Sequence, residues 1–255
     1  MALAIEQFTC RSDNFGVLIH DPGSGLTASI DAPEETPIGT KLAERSWSLD
    51  HIFSTHHHAD HVEANLPLKS AYGCKITGPA READKIPGID RTVVEGDTIA
   101  FGDFEIDVLE TPGHTLGHIS YVIPKAGVAF VADTLFAMGC GRVFEGTPEM
   151  MWHSLEKLLA LPDATTIYCG HEYTLANAKF ALSIDPGNAD LIARAKEVEA
   201  LRAAGKPTLP TTMAIEKKTN PFLRVNDAEI RKNLGMADAS PVQVFAEIRK
   251  RKDNF

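Results

Sequence analysis

The sequence predicts an α/β (α+β) body followed by a helical segment. Short apolar runs separated by turn residues occupy the N-terminal part of the chain, and this pattern is typical of strands. Several of these runs end at a histidine or an aspartate. Beyond residue 172, apolar residues recur at helical spacing and strand-like runs are scarce. We therefore expect two domains, residues 1–172 and residues 173–255.

The first part of the chain begins with three expected strands, Leu3–Phe8, Phe15–Ile19 and Ala28–Asp31, which turn residues connect into an antiparallel start. A helix is expected over Ile38–Glu44 and a strand over Ile52–Thr55. The next expected elements are a helix over Val62–Lys69, a strand over Cys74–Thr77 and a hairpin over Ile99–Val108 that turns at Gly102-Asp103.

The last 80 or so residues carry three helix signals. Apolar residues over Asn188–Ala204 have helical spacing, and Gly205 ends the pattern. Asn226–Glu229 resembles a capping box that opens a short helix ending at Gly235. Ser240-Pro241 opens a third helix, with proline at the first helical position.

The acidic charge balance limits the classes of partner. The formal net charge is -10 and the sequence pI is about 5.4, so nucleic acids and anionic membranes would repel the chain at long range. The cysteines lack a C-x-x-C pair, which favours a reducing compartment. Neither a targeting signal nor an apolar run of membrane-spanning length is present. We expect a cytoplasmic monomer that binds a small molecule.

The segment Thr55–His61, T-H-H-H-A-D-H, is dense in metal-binding side chains. In an extended segment His56 and His58 project to one side, Asp60 continues that spacing, and His61 points to the other side. A solvent-exposed histidine tract fits less well, because the segment is internal, directly follows an apolar run and carries an aspartate. The pattern indicates a metal site that one loop supplies.

Three further candidate ligands stand at the ends of apolar runs: His114, Asp133 and His171. If strands end at one edge of a sheet sandwich, these side chains meet the histidine-rich loop. The remaining histidines of note have no such position, and we interpret them as ordinary core or surface residues: His20, His51, His118 and His153.

Seven ligands are too many for one tetrahedral ion and suit two divalent ions. We expect His56, His58 and His114 on one ion and Asp60, His61 and His171 on the other, with the two oxygens of Asp133 as the bridge. Two ions roughly 3.5 Å apart can share a water and lower its pKa from about 15.7 towards about 7, which is chemistry suited to hydrolysis. The ligand set fits zinc, iron or manganese, of which we favour zinc.

The segment Thr55–His61 resembles the T-H-x-H-x-D-H signature of the metallo-β-lactamase superfamily, in which further ligands follow in the order of His114, Asp133 and His171. Narrower motifs resemble the glyoxalase II (hydroxyacylglutathione hydrolase) family. They are T-P-G-H-T-L-G-H from Thr111, G-C-G-R-V-F-E-G from Gly139, G-H-E-Y-T from Gly170, N-P-F-L-R from Asn220 and K-D-N-F from Lys252.

This resemblance implies an αββα sandwich with an appended helical domain that binds glutathione. It also implies that a hydroxide held by the two metal ions attacks the thioester of S-D-lactoylglutathione, with Asp60 and Asp133 as catalytic carboxylates. The reaction yields D-lactate and glutathione and is the second step of methylglyoxal detoxification. The implied substrate-binding residues are Arg142, Phe144, Tyr173, Arg249 and Lys252. Some family members have tyrosine at the position of Phe144, so its phenolic hydrogen bond is absent here.

Other functions on the same fold remain open at this point. A persulfide dioxygenase would need one iron and oxygen, and the full second set of ligands disfavours it. The acidic charge disfavours a nuclease, and the basic pair Arg249 and Lys252 has no evident role in a lactonase. A non-catalytic protein of this fold would usually lack ligands, whereas this chain has all seven.

Overall fold

The computed structural model describes residues 1–255, and the chain forms two compact units. The first unit comprises Met1–Glu110 and Thr115–Val131, and the second comprises Thr111–His114 and Ala132–Phe255. None of the helices combines the length and the apolar character that crossing a bilayer requires.

A six-stranded sheet begins the first unit. Its antiparallel part pairs each strand with the next, as expected from the sequence. The remaining strands are added in parallel, each beside the one before it. The strands, in spatial as well as chain order, are β1 (Ala4–Cys10), β2 (Asn14–His20), β3 (Thr27–Ile30), β4 (His51–Phe53), β5 (Lys75–Pro79) and β6 (Arg91–Val93).

The second set of strands in this unit is an antiparallel meander. It consists of β7 (Thr98–Phe101), β8 (Phe104–Glu110), β9 (Ile119–Ile123) and β10 (Val128–Ala132). The predicted hairpin is confirmed, because Phe101 pairs with Phe104 across the Gly102-Asp103 turn. Gly102 has a φ of 58°, a left-handed conformation that glycine adopts at low cost.

Aromatic contacts join the two sets of strands face to face. The Phe53 ring lies 6.0 Å from Phe101 and 5.7 Å from Tyr121 between centroids. All three side chains are buried, and the Tyr121 hydroxyl donates to the Ser54 carbonyl at 2.8 Å. Burial of these rings supplies much of the hydrophobic stabilisation of the sandwich and fixes the end of β4, where the histidine-rich loop begins.

Helices cover the outer face of the six-stranded sheet. They are α1 (Glu35–Arg45), α2 (Ala59–Val62) and α3 (Asn65–Tyr72), and Ile38, Leu42 and Leu68 pack in one core with residues of β4 and β5. The helix expected over Val62–Lys69 is confirmed in part, because Asn65–Lys69 belong to α3 whereas Glu63 and Ala64 separate α3 from α2. Its course is interrupted because the Ala64 amide donates to the Ala32 carbonyl at 3.0 Å, and Pro67 is confined to the first turn of α3.

The second unit is mainly helical. Its short strands are β11 (Leu135–Phe136), β12 (Gly139–Cys140), β13 (Thr166–Cys169) and β14 (Thr211–Thr212). Its helices are α4 (Pro148–Leu159), α5 (Thr174–Ile184), α6 (Ala189–Ala203), α7 (Met213–Thr219), α8 (Ala228–Leu234) and α9 (Pro241–Asp253). The three helices expected from the sequence correspond to α6, α8 and α9, whereas α4, α5 and α7 were not predicted.

Side-chain caps explain where the three predicted helices begin. The Asn188 side chain accepts from the Leu191 amide at 3.1 Å, and Ser240 and Gln243 form a reciprocal capping box. The cap of α8 differs from the expected one. Its N-cap is Asp227, whose carboxylate accepts from two amides of the first turn, so Asn226 lies outside the helix.

The Ser240 cap supports the helix that carries both Arg249 and Lys252. We expect Ser240→Ala to lower the free energy of unfolding by about 1 kcal/mol, and the thermal midpoint by about 2–4 °C, because the Gln243 amide loses its acceptor. Ser240→Asp, which keeps an acceptor, is the matched control for a calorimetric comparison. Equal midpoints for the alanine variant and the unsubstituted protein would contradict this role.

Candidate functional site

In the first unit, the histidine-rich loop Thr55–His61, which follows β4 and ends within α2, brings its histidines together. The His56 ring lies 4.8 Å from His58 and 4.2 Å from His61 between centroids. His56 and His61 are buried, and His58 is half-buried. The Oδ2 atom of Asp60 lies 3.7 Å from Nε2 of His61. The four ligands that the sequence predicts in this loop therefore form one cluster.

A buried carboxylate at the end of β3 orients two of these histidines. Asp31 accepts from the Thr55 amide at 2.7 Å, the Thr55 hydroxyl at 2.8 Å and Nδ1 of His61 at 2.8 Å. Because the Thr55 hydroxyl donates to Asp31, its oxygen accepts from Nδ1 of His56 at 3.0 Å. Both rings thus carry their proton on Nδ1 and present Nε2 as the lone-pair nitrogen, which is the form that binds a metal.

A second buried carboxylate holds the same loop from the other side. Glu82 accepts from the His57 amide, from Nδ1 of His57 and from the Gly117 amide, each at 2.8 Å. The loop's His57 side chain is therefore used for support, in agreement with its absence from the predicted ligands. His118 is fully buried and stacks on His56 at 4.7 Å, which confirms a core position for it.

Asp60 has its own support within the first unit. The side-chain amide of Asn14, which is buried at the start of β2, donates to Oδ2 and to the backbone carbonyl of Asp60, both at 3.1 Å. These bonds fix the orientation of the carboxylate relative to His61.

In the second unit, His114, Asp133 and His171 form a buried cluster. Oδ2 of Asp133 lies 3.4 Å from Nε2 of His114 and 3.4 Å from Nε2 of His171. Ligands about 2.0–2.2 Å from a tetrahedral ion lie about 3.4 Å from each other, so these spacings fit metal ligation. Nδ1 of His114 donates to the Arg142 carbonyl at 2.9 Å, which leaves Nε2 as the lone-pair nitrogen. One carboxylate oxygen of Asp133 thus lies close to the lone-pair side of both histidines.

Aromatic rings lie beside two of these histidines. Phe144, which is 60% exposed, lies 5.2 Å from the His114 ring, and Tyr173 stacks on His171 at 4.7 Å with an interplanar angle of 2°. Both residues are among the predicted substrate-binding positions, and their exposed rings flank the buried ligands.

The predicted basic residues differ in accessibility. Arg142 is exposed and Lys252 is half-buried, whereas Arg249 is buried with 6% exposure. The Arg249 guanidinium donates to the Cys140 carbonyl at 3.0 Å and pairs with Asp253 at 2.8 Å. Arg249 therefore contributes positive charge while its hydrogen bonds hold the strand that leads to Arg142.

Burial, together with repulsion from neighbouring cations, lowers the pKa of Lys252. Burial and the neighbouring charges of Arg249 and Arg142 bring this pKa to about 8, against the opposing effect of Asp253. The ammonium donates to the Ala176 carbonyl at 3.1 Å. The exposed Arg142 and the half-buried Lys252, with the buried charge of Arg249 nearby, form a cationic region to which an anionic ligand would bind favourably.

Comparisons with known proteins agree with this architecture. Residues 12–171 match the metallo-beta-lactamase superfamily, and residues 172–255 match the family described as hydroxyacylglutathione hydrolase C-terminus. A hydroxyacylglutathione hydrolase from Mesorhizobium japonicum is 62% identical over 255 residues and covers 100% of both chains. The chain belongs to the hydroxyacylglutathione hydrolase family. A member from Brucella ovis is 62% identical over 253 residues, 99% of this chain and 98% of its own.

A solved structure supports the family's fold for this chain. The crystal structure of ETHE1 from Myxococcus xanthus superposes with a TM-score of 0.70 at 26% identity, covering 97% of this chain and 90% of that one. The predicted metallo-β-lactamase fold with an appended helical part is therefore confirmed. The histidine and aspartate clusters within this fold indicate divalent metal ions.

The sequence analysis did not identify the residues that support the candidate ligands in this chain. Asp31 had a usable signal, because it also stands at the end of an apolar run, as His114 and Asp133 do. Glu82 had none, since it is separated by 25 residues from His57 and lies in a short 3-10 turn (Ala80–Glu82) without a motif.

The contacts of Asp31 generate a prediction about metal affinity. Asp31→Asn keeps the shape but cannot accept all three hydrogen bonds, so His61 loses its fixed orientation, and we expect zinc affinity to fall about 10–100-fold. Competition with a chromogenic chelator measures this change. Asp50→Asn is the control, because Asp50 accepts from the Thr27 amide at 2.9 Å in the same sheet. Equal zinc affinities for the two variants would contradict the orienting role.

Proposed function

We propose that this chain hydrolyses S-(2-hydroxyacyl)glutathione thioesters, chiefly S-D-lactoylglutathione, to the hydroxy acid and glutathione. This reaction is the second step of methylglyoxal detoxification. The observation that carries the proposal is the 2.9 Å hydrogen bond between His114 and the Arg142 carbonyl. It links a candidate metal ligand to a candidate glutathione-binding residue in a chain of the hydroxyacylglutathione hydrolase family.

We propose that the seven ligands hold two divalent ions, with zinc preferred and iron or manganese as alternatives. The partition is the one that the sequence predicts, with Asp133 as the bridge. The donor chemistry and the Nδ1-protonated forms of His56, His61 and His114 support this assignment. When bound, the ions would supply a hydroxide at neutral pH and a Lewis acid for the carbonyl oxygen.

The protein's own residues have two tasks in this reaction. Asp60 and Asp133 are proposed to hold and orient the attacking water, and the support of Asp60 by Asn14 preorganises this geometry. Arg142, Arg249 and Lys252 are proposed to attract the carboxylates of the glutathione moiety, with Phe144 and Tyr173 as further contacts to glutathione. The leaving thiolate needs little acid assistance, since thiol pKa values are near 8.5.

Cysteine chemistry is disfavoured as an alternative route. Burial raises the pKa of the Cys140 thiol to about 11, and burial also raises that of Cys169 well above its usual value. Thiolates at these positions are therefore scarce at neutral pH, and a covalent acyl intermediate on either sulfur is not expected.

The sequence also led to expectations about the domains, the oligomeric state and the cellular location of the protein. We propose that residues 1–172 are the catalytic domain and residues 173–255 a helical substrate-binding domain. We further propose that the protein is a cytoplasmic monomer without nucleic-acid or membrane partners. The net charge of -10 supports the absence of anionic partners larger than the substrate.

The proposal predicts turnover that depends on the ligands. With zinc supplied, we expect hydrolysis of S-D-lactoylglutathione at kcat/KM of about 10⁴ M⁻¹s⁻¹ or higher, measured by loss of thioester absorbance. His58→Ala and Asp133→Ala should lose both metal content and turnover. His153→Ala, a surface change beside Glu156, is the control. Activity that survives both ligand changes would refute the mechanism. Oxygen consumption with glutathione persulfide, without thioester hydrolysis, would favour a dioxygenase.

The pKa of Lys252 predicts a pH dependence of KM. Because that pKa is lowered to about 8, the ammonium is charged below this pH and neutral above it. We expect KM to rise about threefold to tenfold between pH 7 and 9, as a charge-assisted hydrogen bond is lost. Lys252→Arg should remove most of this rise, since arginine stays protonated.

Alanine variants separate binding from chemistry at the same site. Lys252→Ala and Arg249→Ala should raise KM more than they lower kcat, because both groups are remote from the reacting carbonyl. Lys250→Ala, at an exposed neighbouring position of α9, is the control. An unchanged KM in the first two variants would remove these residues from the substrate site.

A further inference from the structure

A buried hairpin in the second unit has unusual surroundings. Its strands β11 and β12 are only two residues each, and the connecting Ala137 and Met138 are 1% and 0% exposed. Met138 has a φ of 53°, a left-handed conformation that is unfavourable for a side-chain-bearing residue. A turn buried this deeply needs partners for its backbone polar groups.

Side chains from the helical segment supply those partners. The side-chain amide of Asn220 donates to the Phe136 carbonyl at 3.1 Å and to the Gly139 carbonyl at 2.9 Å. The Asn177 amide donates to the Ala137 carbonyl at 3.2 Å. The Met138 amide donates to Oε2 of Glu216 at 2.8 Å. The turn is thus held by three polar side chains.

Glu216 and Asn220 form one connected pair, one helical turn apart. The side-chain amide of Asn220 also donates to Oε2 of Glu216 at 3.1 Å, and the Thr211 hydroxyl donates to Oε1 of Glu216 at 2.9 Å. Both residues are fully buried, and burial raises the pKa of the Glu216 carboxyl. All three groups that contact the Glu216 carboxylate donate to it. Replacing one of its oxygens with a donor would therefore disturb these hydrogen bonds.

The two ends of the hairpin lie at functional residues. Asp133 and Thr134 precede β11, and the Gly141 amide after β12 donates to the Thr134 carbonyl at 3.2 Å. A Cβ atom on Gly141 would lie 1.9 Å from the Asp133 carbonyl oxygen, so these two backbone segments are in close contact. The next carbonyl, that of Arg142, accepts from His114.

We propose that Glu216 and Asn220 are positioning residues that set, through this hairpin, both the geometry of His114 and Asp133 and the location of Arg142. The N-P-F-L-R motif, which the sequence analysis left without a role, thereby acquires one through Asn220. The inference rests on the proposed function for its substrate part and on the ligand cluster alone for its metal part.

A purely structural role would have a different signature. Weakening an ordinary buried bond lowers stability but leaves the folded molecules with normal metal affinity and normal KM. Displacement of the hairpin changes both quantities in the folded molecules, because its two ends carry a metal ligand and a substrate-binding residue.

The test uses Glu216→Gln and Asn220→Asp in the full-length protein, well below the thermal midpoint. Glu216→Gln replaces one of the two acceptor oxygens with a donor at constant shape. Asn220→Asp replaces three donated bonds with repulsion from two carbonyls and from the Glu216 carboxylate. We expect zinc affinity, from competition with a chelator, to fall at least tenfold. We expect KM for S-D-lactoylglutathione to rise at least threefold in the same variants.

The matched control is Asp185→Asn. Asp185 is another buried carboxylate of the second unit, which pairs with Arg224 and accepts from Asn188 but does not contact the hairpin. This variant should lose thermal stability and keep zinc affinity and KM. If Glu216→Gln and Asn220→Asp behave like Asp185→Asn, the proposal is overturned.

If both main variants fail to fold, Asn177→Ser removes a single bond to the turn and should show the same two changes at about twofold to fivefold; unchanged values would overturn the proposal. If the unsubstituted protein does not hydrolyse the thioester, the proposed function fails, and zinc affinity alone decides the positioning role.

Discussion

Buried carboxylates that accept several hydrogen bonds determine the positions of the loops in both units. Asp31 and Glu82 hold the histidine-rich loop from two sides, and Glu216 holds the turn of the β11–β12 hairpin. In each case a backbone amide of the loop donates to the carboxylate. Such a contact fixes the backbone itself, and burial makes it costly to break, because the charge would be left without donors. These contacts fix the backbone segments that carry or adjoin the candidate ligands.

The sequence predicts the elements and the ligands better than the supports. Strand-end histidines and the Ser240 cap depend on local spacing, and local spacing is visible in a sequence. Helix α5 was missed because small and apolar residues surround most of its circumference, so no polar face marks its period. Glu216 could not be recognised, because a glutamate on a short helix next to two lysines resembles a solvated residue. Its burial depends on a turn 78 residues away.

The charge distribution reconciles an acidic protein with an anionic substrate class. A net charge of -10 acts at long range, but salt screens it over about 8–10 Å. Close to α9, the local charges of Arg142, Arg249 and Lys252 outweigh it. Burial and, in addition, repulsion from Arg249 and Arg142 lower the pKa of Lys252, and a bound carboxylate would relieve the repulsion. Accumulated positive charge therefore makes the free site less stable and the bound state more favourable.

The long sequence separation of the hairpin's partners has a consequence for biosynthesis. Met138 and Glu216 are 78 residues apart, and Cys140 and Arg249 are 109 apart. During synthesis, the ribosome makes residues 111–142 well before α9. The hairpin of the nascent chain is therefore synthesised before its acceptor Glu216 and its donor Arg249 exist. Closing such long loops is entropically slow. The hydrogen bonds that Glu216 and Arg249 make to the β11–β12 hairpin can form only after these residues have left the exit tunnel, and a chain truncated before α9 would lack the contact from Arg249.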